Sequence, residues 1–155
     1  MARRRGAGLG GHRGGVTRPI PTSAQKSALM GRVRQKDTAA ETAVGAVLRG
    51  LGAAYRKNVR ALPGSPDFAN RKRRWAVFVN GCFWHGHTGC YRATVPKGNN
   101  AFWVAKFARN RARDAKAVRA LRKAGFRVAI VWECQAEAAG RKLLKVLEPR
   151  RIDLP

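Results

Sequence analysis

The stretch from Asn80 to Cys90 limits what this chain can fold into more than any other. Within eleven residues it holds Cys82 and Cys90, two of three cysteines, and His85 and His87, two of three histidines. Phe83 and Trp84 stand side by side among them, and an apolar run with strand character, 75–79, leads directly in. Cys82, His87 and Cys90 are soft or borderline metal ligands, and Cys134, 44 residues after Cys90, is the one cysteine left. Together they form a Cys3His set, the usual composition of a closed structural zinc site. Cys134 also follows an apolar run, 126–131, so two adjacent strands would deliver Cys82 and Cys134 to one sheet edge. His85 is the alternative histidine ligand, and the alternative to a metal is three buried cysteines. The histidine outside the metal set is free for chemistry.

An odd number of cysteines argues against a disulfide framework. The N-terminus has no apolar signal core, and no run approaches the roughly 20 residues of a membrane helix. A reducing cytoplasm and no membrane partner are expected, and there Cys with His points to zinc or a thiol site. The charge balance names the partner class. Against 33 Lys+Arg stand 8 Asp+Glu, a net charge of +25, and basic side chains that neutralise phosphates release condensed counterions. Nucleic acid is the expected partner. Acids are so scarce that each invites a purpose: between Thr42 and Trp132 only Asp67 and Asp114 occur. An acid kept among so many cations caps a helix, pairs with a base, or holds a metal.

The 155 residues suit one domain. Residues 1–22, rich in Gly and Arg and without acids, read as a disordered basic arm, 23–150 as the domain and 151–155 as a tail. A short helix is expected over 23–33. A second begins at the capping box Thr38-x-x-Glu41, with Val44, Val47, Leu48 and Leu51 on one face. Strands are expected at 54–59, 67–69 and 75–79, the last two joined by the basic hairpin tip 71–74. Asn99 or Asn100 should cap a long helix over 101–124, with Trp103, Phe107, Val118 and Leu121 on its apolar face and a run of Lys and Arg elsewhere. A strand over 126–131 and a helix over 136–147, offering Leu143, Leu144 and Leu147, complete the order α-α-β-β-β-α-β-α. That order implies an α/β (α+β) mixed sheet flanked by helices.

Pro66-Asp67, followed by a hairpin and a hydrophobic strand, is the front half of the PD…(D/E)xK pattern of metal-dependent nucleases. Aspartate there holds Mg2+ against a scissile phosphate, where the ion stabilises charge and activates water. Twelve residues on, where (D/E)xK belongs, the chain has Val79-Asn80-Gly81. Another group must handle the proton, and His85 is the available one.

With these residues assembled, the chain resembles the very-short-patch-repair (Vsr) endonucleases, which act on T:G mismatches. The matching pieces are Met30 to Asp37 with Thr38 and Glu41; Leu62 to Phe68; Phe78 to His85; Phe102-Trp103 with Arg109, Asn110, Arg113 and Asp114; and Gly125 to Cys134. They span roughly 23–135 in the family's order. The resemblance implies a restriction-endonuclease-like fold, a structural zinc on Cys82, His87, Cys90 and Cys134, and catalytic Mg2+ on Asp67 and the Val79 backbone carbonyl. It makes His85 the catalytic histidine, Asp114 its supporting acid and Glu41 a further active-site acid. Phe83, Trp84 and Trp103 correspond to aromatics that wedge into the base stack beside the mismatch, with Met30 entering from the opposite groove; core packing is the other use of such side chains. A mispaired step is the cheapest place to pay for unstacking.

The chain departs from the family at Asn80, a candidate catalytic position where members have a second histidine; an amide donates hydrogen bonds but does not shuttle protons near neutral pH. Val79 replaces the usual Thr, and the His87 to Cys90 spacing is one residue longer than the tightest in the family. The expected activity is Mg2+-dependent nicking beside the T of a T:G pair left by 5-methylcytosine deamination. The expected substrate is double-stranded DNA, with other mismatch-repair proteins as further partners, a monomeric protein and a bacterial-type cytoplasmic, nucleoid-associated location. Two rivals are a zinc-stabilised mismatch-binding protein that has lost cleavage and a restriction-type endonuclease acting on matched sites.

Overall fold

The computed structural model describes residues 38–148. The arm, the helix expected over 23–33, Met30 and the tail lie outside the described residues. Within them the order is α1 (Ala39–Gly50), β1 (Arg56–Lys57), β2 (Phe68–Asn70), β3 (Trp75–Asn80), α2 (Asn100–Lys123), β4 (Arg127–Trp132) and α3 (Gly140–Leu147). The strands form one mixed sheet in the order β1-β2-β3-β4. β1–β2 and β2–β3 are antiparallel. β3 and β4 run parallel from Trp75↔Arg127 to Asn80↔Trp132, with α2 as the crossover.

Each strand divides its side chains between the two faces of the sheet, as the two-residue period requires. Phe68, Trp75, Val77, Ala129 and Val131 pack with Val44 and Leu48 of α1 and Leu143 and Val146 of α3. Ala69 and Ala76 face the other way, onto Leu121 of α2 and Phe126. The result is a helix–sheet–helix sandwich, the flanked mixed sheet expected from the order of elements. The α2 face buries Phe107, Ala117, Val118 and Leu121.

The α1 start follows its capping box. The Thr38 hydroxyl accepts the Glu41 N–H and donates to Glu41 Oε1, both at 3.2 Å. β2, β3 and β4 match expectation to within one residue at each end, and three other elements differ as follows. β1 is two residues long, because beyond Lys57 the pairing with β2 gives way to turn contacts: the Asn58 and Val59 N–H groups donate to the Asp67 and Pro66 carbonyls. α2 begins at Asn100, and the Asn99 carbonyl accepts the Trp103 N–H. α3 starts at Gly140 rather than 136, because the chain leaving β4 first turns through a 3-10 helix, Glu133–Gln135, that carries Cys134 back toward the zinc-type loop. The face turned to the core also differs from expectation: Leu143 and Val146 are buried while Leu144 is exposed. Among the described residues no helix is long and apolar enough to cross a membrane.

Candidate active site

The parallel pair β3/β4 builds the site. Its last paired residues are Asn80 and Trp132, so Cys82 and Cys134 each stand two residues beyond the same sheet edge. The chain after β3 turns sharply, with His85 N–H donating to the Gly81 carbonyl and His87 N–H to Cys82. These turns return the loop over the edge. The candidate ligand atoms of Cys82, His87, Cys90 and Cys134 all lie within 4.8 Å of one another. His87 Nδ1 is 3.5 Å from Sγ of both Cys82 and Cys134. A tetrahedral zinc with bonds of about 2.0–2.3 Å needs ligand–ligand edges of about 3.5–3.8 Å, so the set fits with small adjustments. Burial pushes the Cys82 thiol up to about 12, whereas the Arg92 backbone N–H draws the Cys90 thiol below the usual range. A bound cation removes the obstacle at Cys82, since coordination deprotonates a thiol outright. The cluster could hold zinc, and His87, not His85, belongs to it.

His85 lies on the opposite side of this loop and faces α2. Its Nδ1 is 2.5 Å from Asp114 Oδ2. A carboxylate only accepts, so the pairing places the proton on Nδ1 and leaves Nε2 as the basic atom. Asp114 also lies 3.5 Å from Arg113 Nη2.

Asp67 stands between β1 and the end of β3. Its Oδ2 accepts the Val79 N–H at 2.6 Å, which ties the carboxylate to the residue whose carbonyl is the expected second metal ligand. Burial pushes the Asp67 carboxyl up to about 6; the Val79 N–H opposes the shift, the Glu41 charge adds to it, and His85 pulls it down. Glu41 is itself buried. Glu41 thus makes the cap contacts expected at the start of α1 and also acts electrostatically on Asp67. Two half-buried or buried acids acting on one another are an unfavourable arrangement that a divalent cation relieves. The donor chemistry, carboxylate and backbone oxygen, suits Mg2+. Asn80 is buried beside this site at the end of β3.

The aromatics form one group between the loop and α2. The Phe83 ring makes edge contacts with Trp84, Trp103 and Phe107, at centroid distances of 5.1, 5.3 and 5.4 Å. Lys106 Nζ sits 5.0 Å from the ring centroids of both Trp84 and Trp103. Asn110 Nδ2 donates to the Trp84 carbonyl at 2.8 Å. Phe107 is buried, whereas Phe83, Trp84 and Trp103 are half-buried. Gly86 lets the loop lie this close to α2: its φ is +58°, and a Cβ there would meet Arg111 Nη1 at 2.9 Å. Lys106, Phe107 and Asn110 were not singled out as site residues from the sequence. Their signal was legible, because Trp103, Phe107, Asn110 and Asp114 recur at helical spacing on the face that meets the loop.

The chain as a whole is similar to known proteins. Residues 19–92 match the family described as DNA mismatch endonuclease Vsr. The chain is 42% identical over 124 residues to the type II nicking enzyme V.XorIIP of Xanthomonas oryzae pv. oryzae, covering 78% of this chain and 90% of that one. The chain belongs to the Vsr family of DNA mismatch endonucleases.

Two further relatives are similar over about three quarters of this chain. The DNA mismatch endonuclease Vsr of Escherichia coli is 40% identical over 115 residues, 74% of this chain and 73% of its own length. The type II nicking enzyme V.NmeAIP of Neisseria meningitidis is 40% identical over 116 residues, 75% and 82% of the two chains. The enzyme class read from the sequence, an endonuclease of the restriction-endonuclease-like kind, stands for this Vsr-family member.

Proposed function

We propose that this protein is a Mg2+-dependent endonuclease that nicks one strand of double-stranded DNA beside the T of a T:G mismatch, as very short patch repair of deaminated 5-methylcytosine requires. The observation that carries the reading is the convergence at the β3 end of Asp67, its carboxyl pushed up to about 6, with Glu41 acting on it and a histidine close enough to pull it down. That histidine, His85, is held in turn by Asp114. A divalent ion held by Asp67 and the Val79 carbonyl would supply charge stabilisation at the phosphate and acidify bound water.

The protein's own groups have distinct tasks in this reading. Asp67 is oriented by the Val79 N–H, so its carboxylate is aimed before any ion arrives. His85 takes a proton at Nε2 from the attacking water, and Asp114 holds the ring and stabilises the imidazolium that forms. Glu41 adds negative charge for the cation site, and Asn80 contributes a hydrogen-bonding amide but no proton transfer. Cys82, His87, Cys90 and Cys134 bind a structural Zn2+ that keeps the Gly-rich loop folded. Phe83, Trp84 and Trp103 enter the base stack, with Met30 from the opposite groove, and the exposed Lys and Arg of α2 grip backbone phosphates. Residues 23–150 act as one domain, a monomer in a bacterial cytoplasm, with 1–22 as a basic arm.

Strand nicking of labelled duplexes tests this directly. T:G, fully paired and other mismatched substrates are incubated with and without Mg2+, using wild type and Asp67→Ala. Cleavage confined to the T of the T:G duplex, requiring Mg2+ and lost in the variant, is the expected result. Equal cleavage of matched DNA would favour a restriction-type enzyme. Salt-sensitive mismatch binding with no product would favour the binding protein, the reading that Asn80 in place of histidine supports.

A further inference from the structure

Three consecutive residues at the end of β4, Trp132, Glu133 and Cys134, all address the loop from Cys82 to Cys90. Cys134 brings its Sγ to 3.5 Å from His87 Nδ1. The Trp132 ring lies flat on the His87 imidazole, with centroids 4.1 Å apart and planes 5° from parallel. Glu133 reaches back with both oxygens: Oε2 accepts the Cys82 N–H at 3.2 Å, and Oε1 lies 3.6 Å from Arg92 Nη1. The strand ladder has already ended at Asn80↔Trp132, so these contacts are made by side chains beyond it.

We propose that Trp132 and Glu133, with Arg92, are positioning residues of the metal centre, a clamp that sets how long zinc stays bound; this rests on the zinc reading of Cys82, His87, Cys90 and Cys134. The loop needs such a clamp. It contains Gly86 and Gly89, both at positive φ; α2 holds its first half through Asn110 on the Trp84 carbonyl and Asp114 on His85, whereas the backbone of the metal-facing half, 87–90, is held by its own tight turns. Without outside restraint each ligand would sample many orientations, and loss of one zinc bond would be followed by loop opening rather than rebinding. The flat stack with Trp132 restricts rotation of the His87 ring, which fixes where Nδ1 points. Glu133 fixes the backbone of the first ligand, Cys82, while Arg92, two residues beyond the ligand Cys90, ties the far end of the loop to the same carboxylate. Arg92 also offsets a carboxylate placed beside three thiolates, so Glu133 and Arg92 act as a unit. Partners of this kind, beyond the ligands themselves, typically change metal affinity by about 10–100-fold.

The test uses the full-length, zinc-loaded protein. Zinc per chain is measured by elemental analysis, and release into excess chelating dye is followed by absorbance. Wild type should hold one zinc. Glu133→Ala and Trp132→Ala should release it about 10–100-fold faster. Glu133→Gln, which keeps an oxygen for the Cys82 N–H but loses the charge facing Arg92, should fall between; Trp132→Phe, which keeps a flat ring, should stay near wild type. Val118→Ala, a core change in α2, serves as the control for general loss of stability. A wild type without zinc would overturn the zinc reading and the clamp with it. Zinc in wild type with release from Glu133→Ala and Trp132→Ala within twofold of it would overturn the clamp alone. So would equal acceleration by Val118→Ala at a matched fall in melting temperature.

Discussion

Replacing Asp67 by asparagine should make the magnesium-free protein more stable while abolishing its activity. Burial is the main reason the Asp67 carboxyl is pushed from 3.8 to about 6. A carboxyl whose folded-state pKa is raised binds more protons folded than unfolded, so it lowers stability as pH rises from about 4 and does so fully above about 6. The full shift corresponds to about 3 kcal/mol, and its partial exposure reduces this to roughly 2 kcal/mol. Asparagine removes the charge while its Oδ1 still accepts the Val79 N–H. The expected gain at pH 8 is therefore roughly 2 kcal/mol, or about 4–8 °C in melting temperature for a chain of this size. At pH 5, where the native carboxyl is largely protonated, about half that gain should remain. Thermal unfolding followed by circular dichroism at the two pH values, with zinc bound and no added magnesium, measures the difference. The cysteine and histidine ligands titrate alike in both proteins and drop out. Added Mg2+ should then raise the melting temperature of wild type but not of Asp67→Asn. A variant less stable than wild type at pH 8, or a difference independent of pH, would refute this account of Asp67.

Other perturbations separate the remaining parts of the site. His85→Ala should slow single-turnover nicking by about 10²–10⁴-fold, with Asp114→Asn slower than wild type but no worse; substrate affinity in a gel-shift assay should be unchanged in both. Cys134→Ser should reduce bound zinc measured by elemental analysis and lower the melting temperature, because the ligand that joins the β4 end to the loop is lost. Gly86→Ala forces a side chain into a left-handed backbone position facing Arg111 and should cost about 1–2 kcal/mol in denaturant unfolding. Trp84→Ala should weaken binding to a T:G duplex more than to a paired one if its ring enters the stack, and equally if it only packs.

Much of this was visible in the order of residues, for reasons that are local. A capping box followed by apolar residues at helical spacing identifies α1, because cap and period act within a few residues. The same holds for the α2 face through Phe107, Val118 and Leu121. The zinc-type set was legible because cysteine is scarce and the ligand types are few. The α3 boundary was not legible: alanines at 136, 138 and 139 suit a helix, but Cys134 must turn back toward His87 first, and that demand comes from a residue 47 positions away.

By itself the sequence determined the order of the elements from α1 to α3, the three cysteines of a zinc-type set, Asp67 as the acid to watch, and membership of a nuclease family by resemblance. It left open which histidine joined the cysteines, and whether Glu41 capped a helix or served the site. Tertiary structure answers the first, since the β3/β4 register and the α2 crossover bring His87 to Cys134 and His85 to Asp114, and the packing of α1 on the sheet sets Glu41 near enough to act on Asp67. Capping and periodicity act between neighbours along the chain, whereas coordination and charge coupling act between groups that meet only after the sheet has formed.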